Sequence, residues 1–287
     1  MTAAINPRSY WYDLAKSYSA LGSPLKPCPE DIAAMEMPTF ELAARNGHER
    51  VRALLLGVTP AIAEMRLPEG SSLLAVDTSV AMAQAVWPGD IPDRRWAVCG
   101  NWLDLPLRQG SCHLVFGDGS LNCLRYPGDF RSVAETISHV LSDHGVFVLR
   151  CYVQPDKREA PEDIFTEALS GRIPSFHHFK FRLLMAMQPS AGQGVAVKEV
   201  YDLWAKRNLE RQLMNCHAGW MKKDVDTIQL YRDSYTVHTF PTMAEWREVL
   251  SEFFDEVSVS TPKYDTGDRC PTLVMRPRRI RCLAGPA

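Results

Sequence analysis

The sequence feature that most constrains the fold is a pair of short apolar runs, each of which ends at a residue suited to ligand contact. Ala53–Leu56 runs directly into Gly57, and Leu73–Val76 runs into Asp77, twenty residues after the glycine. An apolar strand that ends at glycine, a helix start and a second strand that ends in a carboxylate are typical of a nucleotide-binding βαβ unit. Glycine lets the backbone pass close to a ligand, and the acid can accept hydrogen bonds from ribose hydroxyls. The alternative for this stretch is a plain strand-to-helix turn without a ligand.

Further strands and helices alternate along the chain from Val51 to Val153. Because the strands are continuously apolar and are separated by crossovers, we predict an α/β architecture with a parallel sheet covered on both faces. Apolar residues recur at helical spacing before the last of these strands, which predicts a helix there. The predicted strands are 51–57, 72–77, 96–99, 112–117 and 145–153, and the predicted helix is 129–141.

The segments on either side of this region have a different character. Residues 1–50 are rich in aromatic side chains at helical spacing, and residues 154–240 change to a mainly helical pattern. The predicted helices outside the core are 31–46, 161–169, 179–187, 196–214 and 242–254, and the predicted strands are 229–231, 234–238, 256–260 and 271–276. We expect one domain, divided into an N-terminal helical cap 1–50, a core 51–153, a helical insertion 154–240 and a final segment 241–287 that completes the sheet.

The composition excludes several classes of protein. The chain has 287 residues, with 32 basic and 34 acidic side chains and a formal net charge of -2, so no strong field exists to collect nucleic acid or an anionic membrane. No apolar stretch approaches the roughly 20 residues of a membrane span, and the first thirty residues do not resemble a signal peptide. We therefore expect a cytoplasmic protein. Eight cysteines without a C-x-x-C pair favour buried free thiols over a zinc site.

The loop after the first strand contains one glycine where a dinucleotide would need three. Gly57 is followed by Val58, by Thr59 as a candidate helix N-cap, and by Pro60 at the first helical position. Three glycines would let backbone amides cradle a pyrophosphate. A cofactor that needs close backbone approach but no anion cradle suits a single glycine better.

Two other strand ends carry candidate ligand contacts. After the third strand comes Asn101, whose amide can hydrogen-bond an adenine edge, and Trp102, whose indole can stack on the ring. Plain core packing is the alternative for this indole. After the fourth strand, Asp118 stands between Gly117 and Gly119, at the edge where parallel sheets bind ligands, or as part of a local glycine turn.

Residues 51–153 and the last two strands together resemble the class I S-adenosylmethionine-dependent methyltransferases. The resemblance implies a Rossmann-like, seven-stranded, mostly parallel sheet with helices on both faces, and S-adenosyl-L-methionine as the cofactor. It implies that the glycine loop lies against the methionine part, that the acid holds the ribose hydroxyls and that the segment from Gly117 to Asn122 flanks the transferred methyl group. The cofactor-binding residues so implied are Gly57, Val58, Thr59, Asp77, Thr78, Asn101, Trp102, Gly117 and Asp118.

The sequence departs from the family pattern at two positions. The usual G-x-G-x-G loop is reduced to Gly57-Val58-Thr59-Pro60-Ala61, so side chains stand where backbone normally meets the ligand. The common aspartate after the third strand is replaced by Asn101, which keeps an acceptor carbonyl. A protein of this fold that has lost turnover therefore stays open as an alternative.

The acceptor is expected between the sheet edge and its helical cover. Aromatic residues of the N-terminal helix and of the 154–240 insertion supply that cover, and His177 or His178 could serve as a general base near neutral pH. Packing is the alternative role for both histidines, and Asp118 is the other candidate base. The candidate substrate-binding residues are Tyr10, Trp11, Tyr18, Asn122 and His177, the candidate catalytic residues are Asp118, His177 and His178, and no metal site is predicted.

These observations favour a methyltransferase that acts on a small-molecule acceptor, without a nucleic-acid or membrane partner. In-line methyl transfer requires alignment and exclusion of water more than a nucleophile triad or a metal. The alternatives are a non-catalytic binding or scaffold module of the same fold, an NAD-type oxidoreductase, which would need the missing loop glycines, and an aminopropyl transferase on the same fold.

Overall fold

A seven-stranded sheet forms the centre of the protein in the computed structural model, which describes residues 8–46 and 50–278. The sheet order is β3-β2-β1-β4-β5-β9-β8, and β9 is antiparallel to both neighbours while the other pairs are parallel. A separate antiparallel pair joins β6 and β7. The strands are β1 Arg52–Leu56, β2 Ser72–Asp77, β3 Arg95–Cys99, β4 Cys112–Asp118, β5 Leu141–Arg150, β6 Val195–Ala196, β7 Val237–His238, β8 Phe254–Ser260 and β9 Thr272–Pro277.

Helices cover both faces of this sheet, which confirms the predicted Rossmann-like α/β fold. Alternate residues of β1 point to opposite faces, so that Leu55 packs in one apolar cluster and Leu54 in the other. The helices are α1 Arg8–Ser17, α2 Pro29–Asn46, α3 Pro60–Ala63, α4 Val80–Ala85, α5 Gly128–Val140, α6 Pro161–Leu169, α7 Phe176–Met187, α8 Val197–Arg207, α9 Glu210–Cys216, α10 Lys222–Asp226 and α11 Met243–Leu250. Short 3-10 helices are Tyr18–Ala20, Leu121–Cys123, Thr227–Tyr231 and Gly267–Arg269.

The parallel register brings the carboxyl ends of four strands to one edge. Leu56 pairs with Val76 on one side and with Gly117 on the other, and Asp77 pairs with Cys99. The loops that follow β1, β2, β3 and β4 therefore leave the sheet side by side. This is the edge at which open α/β sheets bind ligands.

Helices from both flanks of the sheet lie over this edge. α1 contacts α4 and the 3-10 helix Thr227–Tyr231, and α7 is buried on every side from Phe176 to Met185. A helix that is buried all round belongs to an interior layer. The region between β5 and α11 is therefore an integral part of the packed structure over the sheet edge.

The structure corrects the sequence analysis mainly in the segment between β5 and α11. The predicted helix 196–214 is two helices, α8 and α9, because Asn208 takes a left-handed conformation with φ of 50°. The predicted strand 229–231 lies in a 3-10 helix instead, and of 234–238 only Val237–His238 forms a strand. In addition, β5 begins at Leu141, before a bulge opposite Cys112 and Leu114.

Residues 1–7, 47–49 and 279–287 lie outside the described residues, and they include Cys282 and parts of the predicted cap and final segment. The seven cysteines within the described ranges are free thiols. Across those same ranges, the longest helices fall short of the combined length and apolar character that a bilayer crossing requires.

Candidate functional site

A cavity of about 260 Å³ lies at the carboxyl edge of the sheet, beneath α1 and α7. Its wall combines the ends of β1 to β4 with aromatic and aliphatic side chains from the covering helices. The structure brings the following predicted site residues to this wall: Tyr10, Trp11, Tyr18, Gly57, Val58, Thr59, Asp77, Thr78, Asn101, Trp102 and Asp118. Residues far apart in sequence are thus collected around one cavity.

Gly57 is the point at which three of these residues meet. Its φ is +106°, a conformation that L side chains rarely adopt, and its N–H donates to the carbonyl of Val76 at 2.8 Å. A Cβ placed on Gly57 would lie 3.9 Å from Asp77 Oδ2 and 3.9 Å from Trp102 Cζ2. The glycine therefore leaves open a space that is bounded by a carboxylate and an indole.

Asp77 and Trp102 are both held in place by backbone hydrogen bonds. Asp77 Oδ1 accepts from the N–H of Ser79 at 2.7 Å, and Trp102 Nε1 donates to the carbonyl of Val76 at 2.6 Å. Burial of the carboxyl raises the pKa of Asp77, and the Ser79 hydrogen bond opposes that shift. Asp77 Oδ1 is thus engaged by Ser79, whereas Asp77 Oδ2 faces the space beside Gly57.

Asn101 and Thr59 show how the remaining loop residues are positioned. Asn101 is exposed, and its Oδ1 accepts from the N–H of Leu103 at 3.1 Å, which fixes the side chain in a local turn. Thr59 occupies the N-cap position of α3, with Pro60 first in the helix, but its side chain makes no capping hydrogen bond. The predicted N-cap position of Thr59 is therefore confirmed, but its hydroxyl does not cap the helix, and its side chain belongs to the cavity wall.

Asp118 is bound into a buried ion cluster. Arg150 Nη1 lies 2.6 Å from Asp118 Oδ1, and Arg150 Nε lies 3.2 Å from Asp31 Oδ1. Arg150 also donates to the Tyr264 hydroxyl at 3.0 Å and to the carbonyl of Pro24 at 2.8 Å. Burial raises the pKa of Asp118 while Arg150 opposes that shift. A carboxylate with a buried guanidinium as its partner serves first to hold β4, β5 and the N-terminal region together.

Four predicted site residues lie outside the cavity lining, namely Gly117, Asn122, His177 and His178. Gly117 is a packing glycine, since a Cβ there would lie 2.5 Å from Ser120 Oγ, and Asn122 is engaged with backbone groups. Asn122 Nδ2 donates to the carbonyls of Tyr152 at 2.9 Å and Thr239 at 2.6 Å, which ties this loop to the covering segment.

The two histidines proposed as general bases also lie elsewhere. His177 packs against Gly22, with its Nε2 4.0 Å from Asp224 Oδ1, and burial lowers its pKa to about 4. His178 hydrogen-bonds through Nδ1 to the hydroxyl of Ser175 at 2.8 Å, and burial lowers its pKa as well. Because α7 directs both away from the cavity lining, the structure favours the packing alternative for this pair.

The covering helices add cavity residues that the sequence analysis missed. Lys180 is buried, and its Nζ donates to Thr227 Oγ1 at 2.9 Å and lies 4.9 Å from the ring centroid of Tyr231. His238 Nδ1 lies 3.8 Å from Cys123 Sγ, and burial lowers its pKa to about 4. The one available signal was a lysine between two phenylalanines, Phe179 and Phe181, since the residues that contact it are distant in sequence.

Within 8–46 and 50–278, no group of three or more His, Cys, Asp or Glu side chains is arranged to hold a metal ion. The polar side chains of the cavity are instead single carboxylates, hydroxyls, the amide of Asn101, the amine of Lys180, the imidazole of His238 and the thiol of Cys123.

Comparison with known proteins shows the fold. No protein-family model matches the chain, and no curated protein matches its sequence. Similar solved structures include a Rhodobacter sphaeroides protein provisionally described as a zinc-dependent alcohol dehydrogenase, with 12% identity and a TM-score of 0.60 over 96% of this chain and 100% of that one. The CcbJ methyltransferase from Streptomyces caelestis is 13% identical, with a TM-score of 0.53 over 96% of this chain and 100% of that one. Loganic acid methyltransferase with SAH is 10% identical, with a TM-score of 0.51 over 98% of this chain and 99% of that one.

The chain has the fold of the class I S-adenosylmethionine-dependent methyltransferases, with the strand order and the antiparallel β9 described above. Because all three identities are low, this likeness establishes architecture, and the choice of chemistry depends on the site.

Proposed function

We propose that this protein is a methyltransferase that uses S-adenosyl-L-methionine and acts on a small-molecule acceptor. The observation that carries the proposal is the meeting of Gly57, Asp77 Oδ2 and Trp102 at one point of the cavity, on a methyltransferase fold. A glycine that leaves this space open, an acceptor for hydroxyl groups and a flat aromatic surface are the groups that a nucleoside without a pyrophosphate requires.

The residues at the strand ends fit this cofactor. Asp77 Oδ2 is available to the ribose hydroxyls, Trp102 and Asn101 to the adenine ring, and the loop from Gly57 to Thr59 to the methionine part. When bound, the cofactor supplies a methyl group on a positively charged sulfur. The carboxylate of Asp77 in the same wall suits such a cation, whereas the charge of Asp118 is balanced by Arg150.

The remaining wall supports a compact acceptor. The side chains of α1 and α7 cover part of the space and leave a largely apolar surface rather than a basic groove. The chain's part in the reaction is then to align the acceptor with the cofactor and to keep solvent out.

Calorimetric titration with S-adenosylmethionine, S-adenosylhomocysteine and NADH tests the proposal. We expect micromolar binding of the first two, loss of about tenfold or more in affinity in Asp77→Ala, and no binding of NADH. Asp202→Ala is the matched control, because it removes an exposed carboxylate, paired with Lys198, that lies outside the cavity lining.

Each other result has a defined meaning. Binding of NADH in place of the sulfur compounds would favour an oxidoreductase, the chemistry named for the Rhodobacter sphaeroides protein. If none of the three ligands binds, the methyltransferase proposal fails and a non-catalytic module of this fold takes its place. Equal loss of affinity in Asp77→Ala and Asp202→Ala would remove Asp77 from the site.

A further inference from the structure

Lys180 is a buried amine in the part of the cavity that the cofactor residues do not occupy. It is 1% exposed, lines the cavity from α7, and has the ring of Tyr231 4.9 Å from its Nζ. Its described hydrogen bond goes to the hydroxyl of Thr227 at 2.9 Å and uses one of three donors. Thr227 is itself satisfied, since its hydroxyl also donates to the carbonyl of Asp224.

No ion pair with a carboxylate is found for Lys180 among the described residues, whereas the buried guanidiniums of this protein have one. Arg150 lies 2.6 Å from Asp118, and Arg182 is bound by two glutamates. Burial of an ammonium group without a carboxylate partner is unfavourable. Consistent with this, burial lowers the pKa of Lys180 to about 7, and the charge of Asp224 only partly opposes the shift.

Charge is divided between the two walls of the cavity. The strand-end wall carries the carboxylate of Asp77, beside an Asp118 whose charge is balanced by Arg150, whereas the covering wall carries the amine of Lys180. A cationic cofactor matches the first wall and an anionic ligand matches the second. The lining on this side includes several rings: Tyr231 lies beside Lys180, Tyr10 lies beside Tyr231, and Phe181 lies beside Phe240.

We infer, on the basis of the proposed function, that the methyl acceptor is a compact aromatic or apolar acid whose carboxylate pairs with Lys180. The two remaining N–H donors of the ammonium serve this group, and the rings around it hold the apolar body. Lys180 is thus a specificity-determining residue that selects an anionic acceptor over its neutral analogue.

The test compares three aromatic carboxylates with their neutral isosteres. Benzoate, phenylacetate and cinnamate, each beside its primary amide, are titrated calorimetrically at pH 7 into the wild type, with and without saturating S-adenosylhomocysteine. The same titrations are made with Lys180→Met and with the control Lys198→Met, which removes a partly exposed lysine of α8 that lies outside the cavity lining. We expect at least one carboxylate to bind the wild type about tenfold more tightly than its amide, and this preference to be lost in Lys180→Met alone.

The affinity for S-adenosylhomocysteine separates this inference from the proposed function. The affinity of Lys180→Met for S-adenosylhomocysteine should stay within about twofold of the wild-type value. A large loss would assign Lys180 to the carboxylate of the cofactor and overturn the inference. If the wild type binds no S-adenosylhomocysteine, the proposed function fails, while the carboxylate titrations without it still decide whether Lys180 selects an anion.

Two further results would also overturn the inference. One is a wild type that does not distinguish any of the carboxylates from its amide, and this comparison stands even if Lys180→Met does not fold. The other is an unchanged carboxylate preference in a folded Lys180→Met, as judged by circular dichroism.

Discussion

At Gly57 the backbone takes a φ of +106°, and a methyl group added there would reach contact distance of both Asp77 and Trp102. We expect Gly57→Ala to cost about 1–3 kcal/mol of stability because of this φ, and to weaken S-adenosylhomocysteine binding because the methyl group enters the open space. Gly89→Ala is the matched control, since Gly89 has a φ of +99° with nothing within 4 Å of its Cβ position. Thermal unfolding and calorimetry on both variants check this prediction. Equal affinities in the two variants would contradict it.

The titration of Lys180 predicts a pH dependence of stability. Its pKa is about 7 in the folded protein, below the ordinary 10.5. Between pH 7 and 9 the unfolded chain therefore holds a proton that the folded protein has released, so stability rises with pH by up to about 1.4 kcal/mol per unit. Lys180→Met should remove this part of the slope and Lys198→Met should not. Denaturant unfolding at pH 7, 8 and 9 measures the free energy of unfolding of each protein. If this free energy changes with pH equally in the wild type and in Lys180→Met, Lys180 is not the group responsible.

Among the elements, α11 offers the clearest test of local helix signals. Thr242 and Glu245 form a complete capping box at its N-terminus. Thr242→Ala should destabilise the protein by about 1 kcal/mol, because backbone N–H groups lose their side-chain partner. Thr166→Ala, in the exposed interior of α6, should be neutral or slightly stabilising, because alanine is the better helix former. Urea unfolding of both variants gives the comparison, and a loss of the same size in each would argue against the capping effect.

The sequence predicted the elements whose signals are local. β2 and α6 have the predicted limits, and β1, β3 and β4 differ by a residue or two, because apolar runs, glycine and proline define them. The segment at 229–231 has similar alternation, yet it forms a 3-10 helix in which Tyr231 is buried beside Tyr10 and Lys180. Contacts with residues distant in sequence decided that conformation.

The strand-end residues of the candidate site could likewise be predicted, because parallel strands end at one edge. Arg150 and Lys180 could not, since a charged side chain is buried only where its surroundings permit. Those surroundings come from Asp31, Asp118 and Thr227, which no sequence pattern connects to them. The histidines of α7 illustrate the converse, because a suitable residue type on the right helix still lies outside the cavity lining.

For the whole molecule, Arg150 joins distant parts of the chain into one buried cluster. It binds Asp118 at the end of β4, Asp31 in α2 and Tyr264 before β9. Arg150→Met should cost about 3–5 kcal/mol, because it leaves buried carboxylates without their partner. Arg131→Met is the control, because it breaks an exposed pair with Glu252 and should cost about 1 kcal/mol or less. Guanidinium unfolding measures the loss of stability in both variants. Similar losses in Arg150→Met and Arg131→Met would show that the cluster does not stabilise the fold.

The fixed indole of Trp102 gives the cavity an optical reporter of its own. Its Nε1 is held by the carbonyl of Val76, and its ring borders the open space beside Gly57. A planar ligand that enters this space changes the surroundings of the chromophore without moving it. We expect tryptophan emission to change on titration with S-adenosylhomocysteine, and the change to decrease in Trp102→Phe. Occupancy of the site can then be followed in real time, without a label and before any acceptor has been identified.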